Sequence, residues 1–312
     1  MNTTELLASI KRAAGVPAYQ DRFSDTDFLA LADEETRTVL LPIITNMRED
    51  YLVTFTTETV NAGEQFYPIP ERAVAQGIRE LKFKIISQQY MINLPYVPIE
   101  QQYSTFYAAQ PTGYNFQGDQ IYIVNPPSQN GDLFIWYVAA PSKLVTAAEV
   151  AVIASFPAFN QIEVVSVPAG WGAAETLDLV PLRRSSHMPA ASDQGATLVG
   201  TTITLTSSVW TAGNPVSSYA KVGDHVARAF ETDLVQLPTE ANDVLVSAVR
   251  VRIHGGLGQV GQKREAQEEL DRKIRALMDL LTPRNEGEAP VVVQRNGLLN
   301  GRFLRRPNIM RG

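Results

Sequence analysis

Gly256 to Gly261, GLGQVG, reproduces the G-x-G-x-x-G spacing with which a glycine-rich turn brings backbone N–H groups against a dinucleotide pyrophosphate. That chemistry needs a buried strand before the turn, a helix N-terminus after it and an acidic residue ending the next strand. Here helical periodicity lies on both sides, so the motif reads as a flexible turn between helices. The histidines, His187, His225 and His254, lie far apart, and none has a second histidine at a metal-ligand spacing. Each reads as an ordinary surface or loop residue. RRSSHMP sets Ser186 beside His187 but lacks the G-x-S-x-G elbow that aims a nucleophile at its base. No pair among the 33 acidic residues is singled out for glycoside chemistry. The absence of cysteine excludes disulfides, zinc-thiolate sites, iron–sulfur clusters and thiol nucleophiles. The sequence therefore offers no catalytic residue, no cofactor-binding residue and no metal ligand, and the expectation is a protein that is not an enzyme and carries no cofactor.

Two residue types remain that bind without reacting. Trp136, Trp171 and Trp210 lie in β-rich sequence and could stack on sugars, although packing a core or anchoring a loop is the commoner use. The C-terminal stretch is more telling. Residues 289–312 contain Arg295, Arg302, Arg305, Arg306 and Arg311 and no acid; with the whole chain at −6, these five positive charges leave −11 on the first 288 residues. Leu298, Leu299, Phe303, Leu304, Ile309 and Met310 are interleaved with the arginines. So little apolar surface does not offset the ordering of the chain, so this arm is expected to order only on a partner. In a protein groove, Leu298, Leu299, Phe303 and Leu304 would bury apolar surface while Arg295, Arg302, Arg305 and Arg306 meet carboxylates or carbonyls. Laid along DNA, the same arginines would meet phosphates.

The elements that must present this arm follow from periodicity. ELLASIKRAAG reads as a short amphipathic helix ending at Gly15. In SDTDFLALADEETRTVLLPIITNMREDYL, Ser24 is an N-cap and Phe28, Ala32, Val39, Ile43 and Met47 form an apolar face, which Pro42 must kink or split. From Tyr51 the period changes to two. YLVTFTTETV, GDQIYIVNPP and GDLFIWYVAAP read as strands, whereas Pro68 and Pro70 in FYPIPERAVAQGIREL exclude a central strand and point to a short helical turn. NQIEVVSVP, ATLVGTTITLTSSV and YAKVGDHVARAF continue the β signal with sandwich-like or barrel-like spacing. Helix returns after Pro238, with Leu245, Val249 and Ile253 on one face. It continues past the glycine-rich turn, with Ala266, Leu270, Ile274, Leu277 and Leu281 in line up to Pro283. Glu268–Arg272, Glu269–Lys273 and Asp271–Arg275 are spaced as (i, i+4) pairs on its other faces.

The expected class is α+β: a helical bundle formed by the N- and C-terminal segments, a large inserted antiparallel β region and an extended C-terminal arm. The divisions are 1–50 for the first helices, 51–145 for the β region, 146–235 for a further β section, 236–283 for the last helices and 284–312 for the arm. No run reaches the roughly 18 apolar residues of a membrane span, and no membrane partner is expected.

FYPIPERAVAQGIRE at 66–80, IYIVNPPSQNGDLFIWYVAAPSKLV at 121–145 and VGDHVARAFETDLVQLPTEANDVLV at 222–246, with the helix FLALADEETRTVLLPIITNMREDYLV, resemble head-to-tail connector (adaptor, neck) proteins of tailed double-stranded DNA bacteriophages. The resemblance implies a dodecameric ring in the virion, below the portal protein and above a tail or nozzle protein, with genomic DNA passing through the lumen. It also implies that the stretch from Arg284 to Gly312 docks on the portal. The 146–235 section is longer than the smallest adaptors carry. From a different class, a carbohydrate-binding or carbohydrate-cleaving virion protein using the tryptophans, or a nucleic-acid-binding protein using the arm, remain as alternatives.

Overall fold

The computed structural model describes residues 1–15, 23–48, 50–86, 90–101, 110–182 and 188–282. Helix α1, Thr3–Ala14, is fixed at both ends. Asn2 Oδ1 accepts the Glu5 N–H at 2.8 Å while Glu5 takes the Asn2 N–H at 3.2 Å, and Gly15, at φ 61°, supplies the left-handed cap. Ser24 and Asp27 form the same reciprocal cap on α2, Asp25–Glu35.

Pro42 does split the helix, through a π turn. Between α2 and α3, Leu41–Met47, residues Thr36–Leu40 form a wide turn in which the Leu41 N–H reaches the Thr36 carbonyl. Proline has no N–H to return to the carbonyl four residues back, and widening the turn just before it absorbs the mismatch. The turn also shifts the helical phase. Leu40 and Ile44 are fully buried, while Val39, Ile43 and Met47, expected on the apolar face, are only half-buried.

The last helices are α4, Asn242–Gly256, and α5, Val260–Leu281, joined by a short turn containing Gly258 at φ 72°. Their apolar stripes and those of the first helices share one core: Leu6, Ile10, Phe28, Leu40 and Ile44 with Leu245, Val249, Ile253, Leu270 and Leu277. The chain is thus a mixed α+β protein whose N- and C-terminal helices pack together. Of the charge pairs expected on α5, Glu269–Lys273 closes at 2.9 Å, and Glu269 also meets Arg250 of α4 at 2.8 Å. Glu268 is taken by Arg264, at 3.2 Å.

Strands β1 (Val53–Val60), β2 (Phe66–Pro68), β3 (Ala73–Ile85), β4 (Ile92–Leu94), β5 (Gly113–Gln117), β6 (Gln120–Val124) and β7 (Gly131–Ala139) form two sheets. One has the order β1-β7-β3-β4 and the other β2-β6-β5. Leu81, Phe83, Ile85, Leu133, Ile135 and Tyr137 meet Tyr67, Ile121 and Ile123 between them. The short helical turn expected after Pro70 is absent. Residues 73–85 are instead a 13-residue strand paired to β7, with register shifts between Ala73 and Ile78 and between Ile78 and Glu80. Those shifts break the period-two pattern in the first half of the strand, and pairing to β7 overrides its local preference.

Beyond β8 (Lys143–Leu144), six antiparallel strands close a barrel: β9 (Ala151–Ser155), β10 (Gln161–Val164), β11 (Ala174–Val180), β12 (Ala191–Val199), β13 (Thr202–Leu205) and β14 (His225–Arg228), in the order β10-β13-β12-β11-β14-β9. Ile153, Ile162, Leu177, Leu179, Ile203 and Val226 fill it. Strands β9 and β11 carry none of the sequence signals singled out above. The chain enters and leaves side by side, because β15 (Glu231–Thr232) pairs parallel with β8.

Candidate functional site

The partner-binding residues expected in the arm, Arg295, Leu298, Leu299, Arg302, Phe303, Leu304, Arg305 and Arg306, lie outside the described residues. Their point of departure is defined. Arg48 Nε donates to the Leu281 carbonyl at 3.5 Å at the end of α5, and a cleft of about 220 Å³ beside it is lined by Arg48, Tyr51, Pro238, Thr239, Glu240, Leu280 and Leu281. Burial, with Glu240 nearby, pushes the Tyr51 hydroxyl up to about 12, so it stays a neutral hydrogen-bonding group.

Around the neck of the barrel the three parts of the molecule are tied together. The Thr3 N–H donates to the Asp233 carbonyl at 2.7 Å, the Val235 N–H to Met1 O at 3.0 Å and the Ser142 N–H to Gln236 Oε1 at 2.7 Å. From α2, the Asp33 carboxylate accepts the Leu144 N–H at 3.0 and 3.1 Å. Burial pushes Asp33 up to about 6, against the pull of that N–H, Arg37 and Lys143. An acid with a raised folded pKa binds its proton more tightly when folded, so its contribution to stability is fully present below the unfolded value near 3.8 and is lost as pH rises to about 6. Asp33→Asn keeps an acceptor for Leu144 without the charge. We expect it to stabilise the protein by about 1 kcal/mol at pH 7.5, after allowance for partial solvation, and to add nothing at about pH 3, below the unfolded value. Urea denaturation at the two pH values measures this, and equal shifts at both would contradict it.

The densest polar cluster joins the β1–β7 sheet to the barrel. Arg72, 4% exposed, follows the Pro68–Pro70 turn; its Nη2 reaches Asp178 Oδ2 at 2.6 Å, its Nε reaches Asp193 Oδ2 at 3.1 Å and its Nη1 reaches Ser142 Oγ at 3.2 Å. The guanidinium carbon lies 4.1 Å from the centre of the Phe230 ring. Burial pushes the Asp178 carboxyl up and the Arg72 charge opposes it; burial alone would lower Arg72, and Asp193 and Asp178 reverse that. Asp178 also accepts the N–H groups of Asp193 at 3.0 Å and Phe230 at 3.1 Å. Asp193 and Phe230 sit at φ 56° and 67°, left-handed conformations that a side chain makes unfavourable. One buried carboxylate therefore holds an arginine and two strained backbones, across strands 106 residues apart in sequence from Arg72. This arrangement fixes orientation, and Arg72, Asp193 and Phe230 also line a cleft of about 680 Å³ together with Glu58, Glu71, Tyr137 and Ser192.

The other sequence candidates fall as follows. GLGQVG spans the α4–α5 turn, with helix before and after it. His187 lies outside the described residues, while His225 and His254 are not simple surface residues. His225 Nδ1 lies 2.7 Å from Asp233 at the barrel neck. His254 is buried, with Nδ1 2.7 Å from Gln259 Oε1 and Nε2 accepting from Arg250 at 3.4 Å. Among the described residues no three His, Asp or Glu side chains gather as a metal ion requires. Trp210 is buried in the barrel and donates to Gln194 Oε1 at 3.1 Å, and Trp171 packs against the barrel core. Trp136 lies on the outer face of the sheet between Phe55 and Phe134, with Lys82 Nζ 4.9 Å from its ring centre. Spread over separate surfaces, the tryptophans build no shared sugar platform. No helix among the described residues is long and apolar enough to cross a membrane. No protein-family profile matches the chain, and no curated protein is found to be similar to it.

Proposed function

We propose that the protein is a structural, non-catalytic head-to-tail connector of a tailed bacteriophage virion. It would form a ring below the portal, join capsid to tail and line the DNA channel. The observation that supports this most is the closure of the first and last helices into one core, with both β parts inserted between them, so that α5 delivers the chain at Leu281 to a basic, apolar-studded arm. Such a body can pack side by side with copies of itself while its arm reaches another ring. The acidic remainder of the chain suits a channel through which DNA passes without adhering. The charge-paired faces of α5 give little apolar area for self-association, so ring formation is expected to need the portal as template. Mass measurement of the isolated protein and of its mixture with portal tests this. A ring-sized assembly is expected only in the mixture, and a monomer unchanged by portal overturns the reading.

A further inference from the structure

Strand β1 is an edge of its sheet, and part of its inner side is open. Thr54, Thr56 and Glu58 stand opposite Tyr137, Ile135 and Leu133, the core residues of β7, so they lie on the inner face. There Thr56 and Glu58 line the cleft of about 680 Å³, together with the turn Pro68 to Arg72 and, from the barrel, Ser192, Asp193 and Phe230. That volume is in the range of small-molecule sites.

The charges in the cleft do not balance. Glu58, Glu71 and Asp193 face a single cation, Arg72, which Asp178 and Asp193 already share. Glu58 and Glu71 have no ion pair among the described residues. Tyr137 adds an independent sign of a ligand. It is 3% exposed, with its ring in the core between the two sheets, yet it lines the cleft, where its hydroxyl feels the charges of Arg72, Asp193 and Asp178. That hydroxyl has no hydrogen bond among the described residues, and leaving such a group unpaired is costly. Burial pushes its pKa up, so it stays neutral and can accept an N–H. The carboxylates do not gather as a metal ion requires, whereas Ile69, Pro70 and Phe230 offer apolar wall beside them. A cation that suits this lining carries its charges at separate points along a hydrocarbon chain. We propose that the cleft binds an aliphatic polyamine, with Glu58 and Glu71 meeting its ammonium groups, the Tyr137 hydroxyl accepting one ammonium N–H and the methylenes lying against Ile69, Pro70 and Phe230. The site does not depend on the connector reading.

Calorimetric titration of the full-length protein with spermidine tests this. The parent should bind spermidine at least about tenfold more tightly than butylamine, which has one charge. Glu58→Gln should weaken spermidine at least about tenfold and Tyr137→Phe at least about fivefold. Tyr137→Phe removes only an oxygen without a protein partner, so its thermal unfolding should match the parent's and its binding defect cannot be ascribed to misfolding. Asp279→Asn, an exposed acid on α5 away from the cleft, should bind as the parent does. No binding of spermidine by the parent overturns the proposal, as does unchanged binding in Tyr137→Phe. A loss in Asp279→Asn equal to that in Glu58→Gln also overturns it, since the attraction would then be to the acidic surface as a whole.

Discussion

Arg72→Ala should lower the stability of the protein by about 3–5 kcal/mol, the largest effect of any single polar substitution outside the core. The substitution leaves Asp178, which is fully buried, and the partly exposed Asp193 with no cation. Exchanging both members of a buried ion pair for apolar residues is often harmless, but here that route is closed. Removing the Asp178 carboxylate also strands the N–H groups of Asp193 and Phe230, in backbones that already adopt unfavourable left-handed conformations. Arg72→Lys keeps the charge but not the fork that spans Asp178, Asp193 and Ser142, and should fall between parent and alanine. Because the contacts join the β1–β7 sheet to the barrel, the alanine variant should also unfold in two steps, with the barrel separating from the rest. Calorimetry would show this as a split transition; a single transition within 1 °C of the parent's would mean the cluster contributes nothing.

The parts legible in the sequence are those whose causes are local. Ser24 and Asp27 stand three residues apart and cap α2; Gly15 ends α1; the α4–α5 turn is marked by its glycines. Where a distant partner decides, local reading fails. Strand β3 looks helical after its prolines because two register shifts hide its alternation until Leu81, and only the β7 partner some 50 residues later makes it a strand. Val39 and Ile43 follow an α-helical count that the π turn before Pro42 interrupts, so Leu40 and Ile44 take the buried places. Arg72 sits in PIPERAV without any signal, since its acidic partners come from β11 and β12. The openness of β1 is likewise a property of the sheet order. In sequence, a Thr-rich edge strand and a Thr-rich central one look alike.

Removal of residues 283–312 should leave thermal unfolding of the body nearly unchanged while reducing attachment to portal particles at least about a hundredfold. The first half of this expectation follows from where the core ends. The last core residue of α5 is Leu281, so truncation after Thr282 keeps the apolar stripe and the Arg48 contact to its carbonyl. The second half follows from composition. In the proposed docking, Leu298, Leu299, Phe303 and Leu304 would be the apolar anchors of the arm, and Arg295, Arg302, Arg305 and Arg306 its directional donors. Ordering such a segment costs roughly 1–2 kcal/mol per residue in backbone freedom, so only a partner that buries the anchors and pairs the arginines holds it. Phe303→Ala with Leu304→Ala, in an otherwise intact chain, should reproduce most of the loss. A docking defect in the Phe303/Leu304 variant tests the portal contact. Salt separates the nucleic-acid alternative. Binding carried by arginines on DNA phosphates weakens with a logarithmic slope of about −0.9 per contact, whereas anchors in a protein groove keep most of their affinity as salt rises. If the truncated protein still binds portals as tightly as the parent, or if the full chain binds DNA more tightly than portal with that steep slope, the docking-arm reading is wrong and the arginines serve nucleic acid instead.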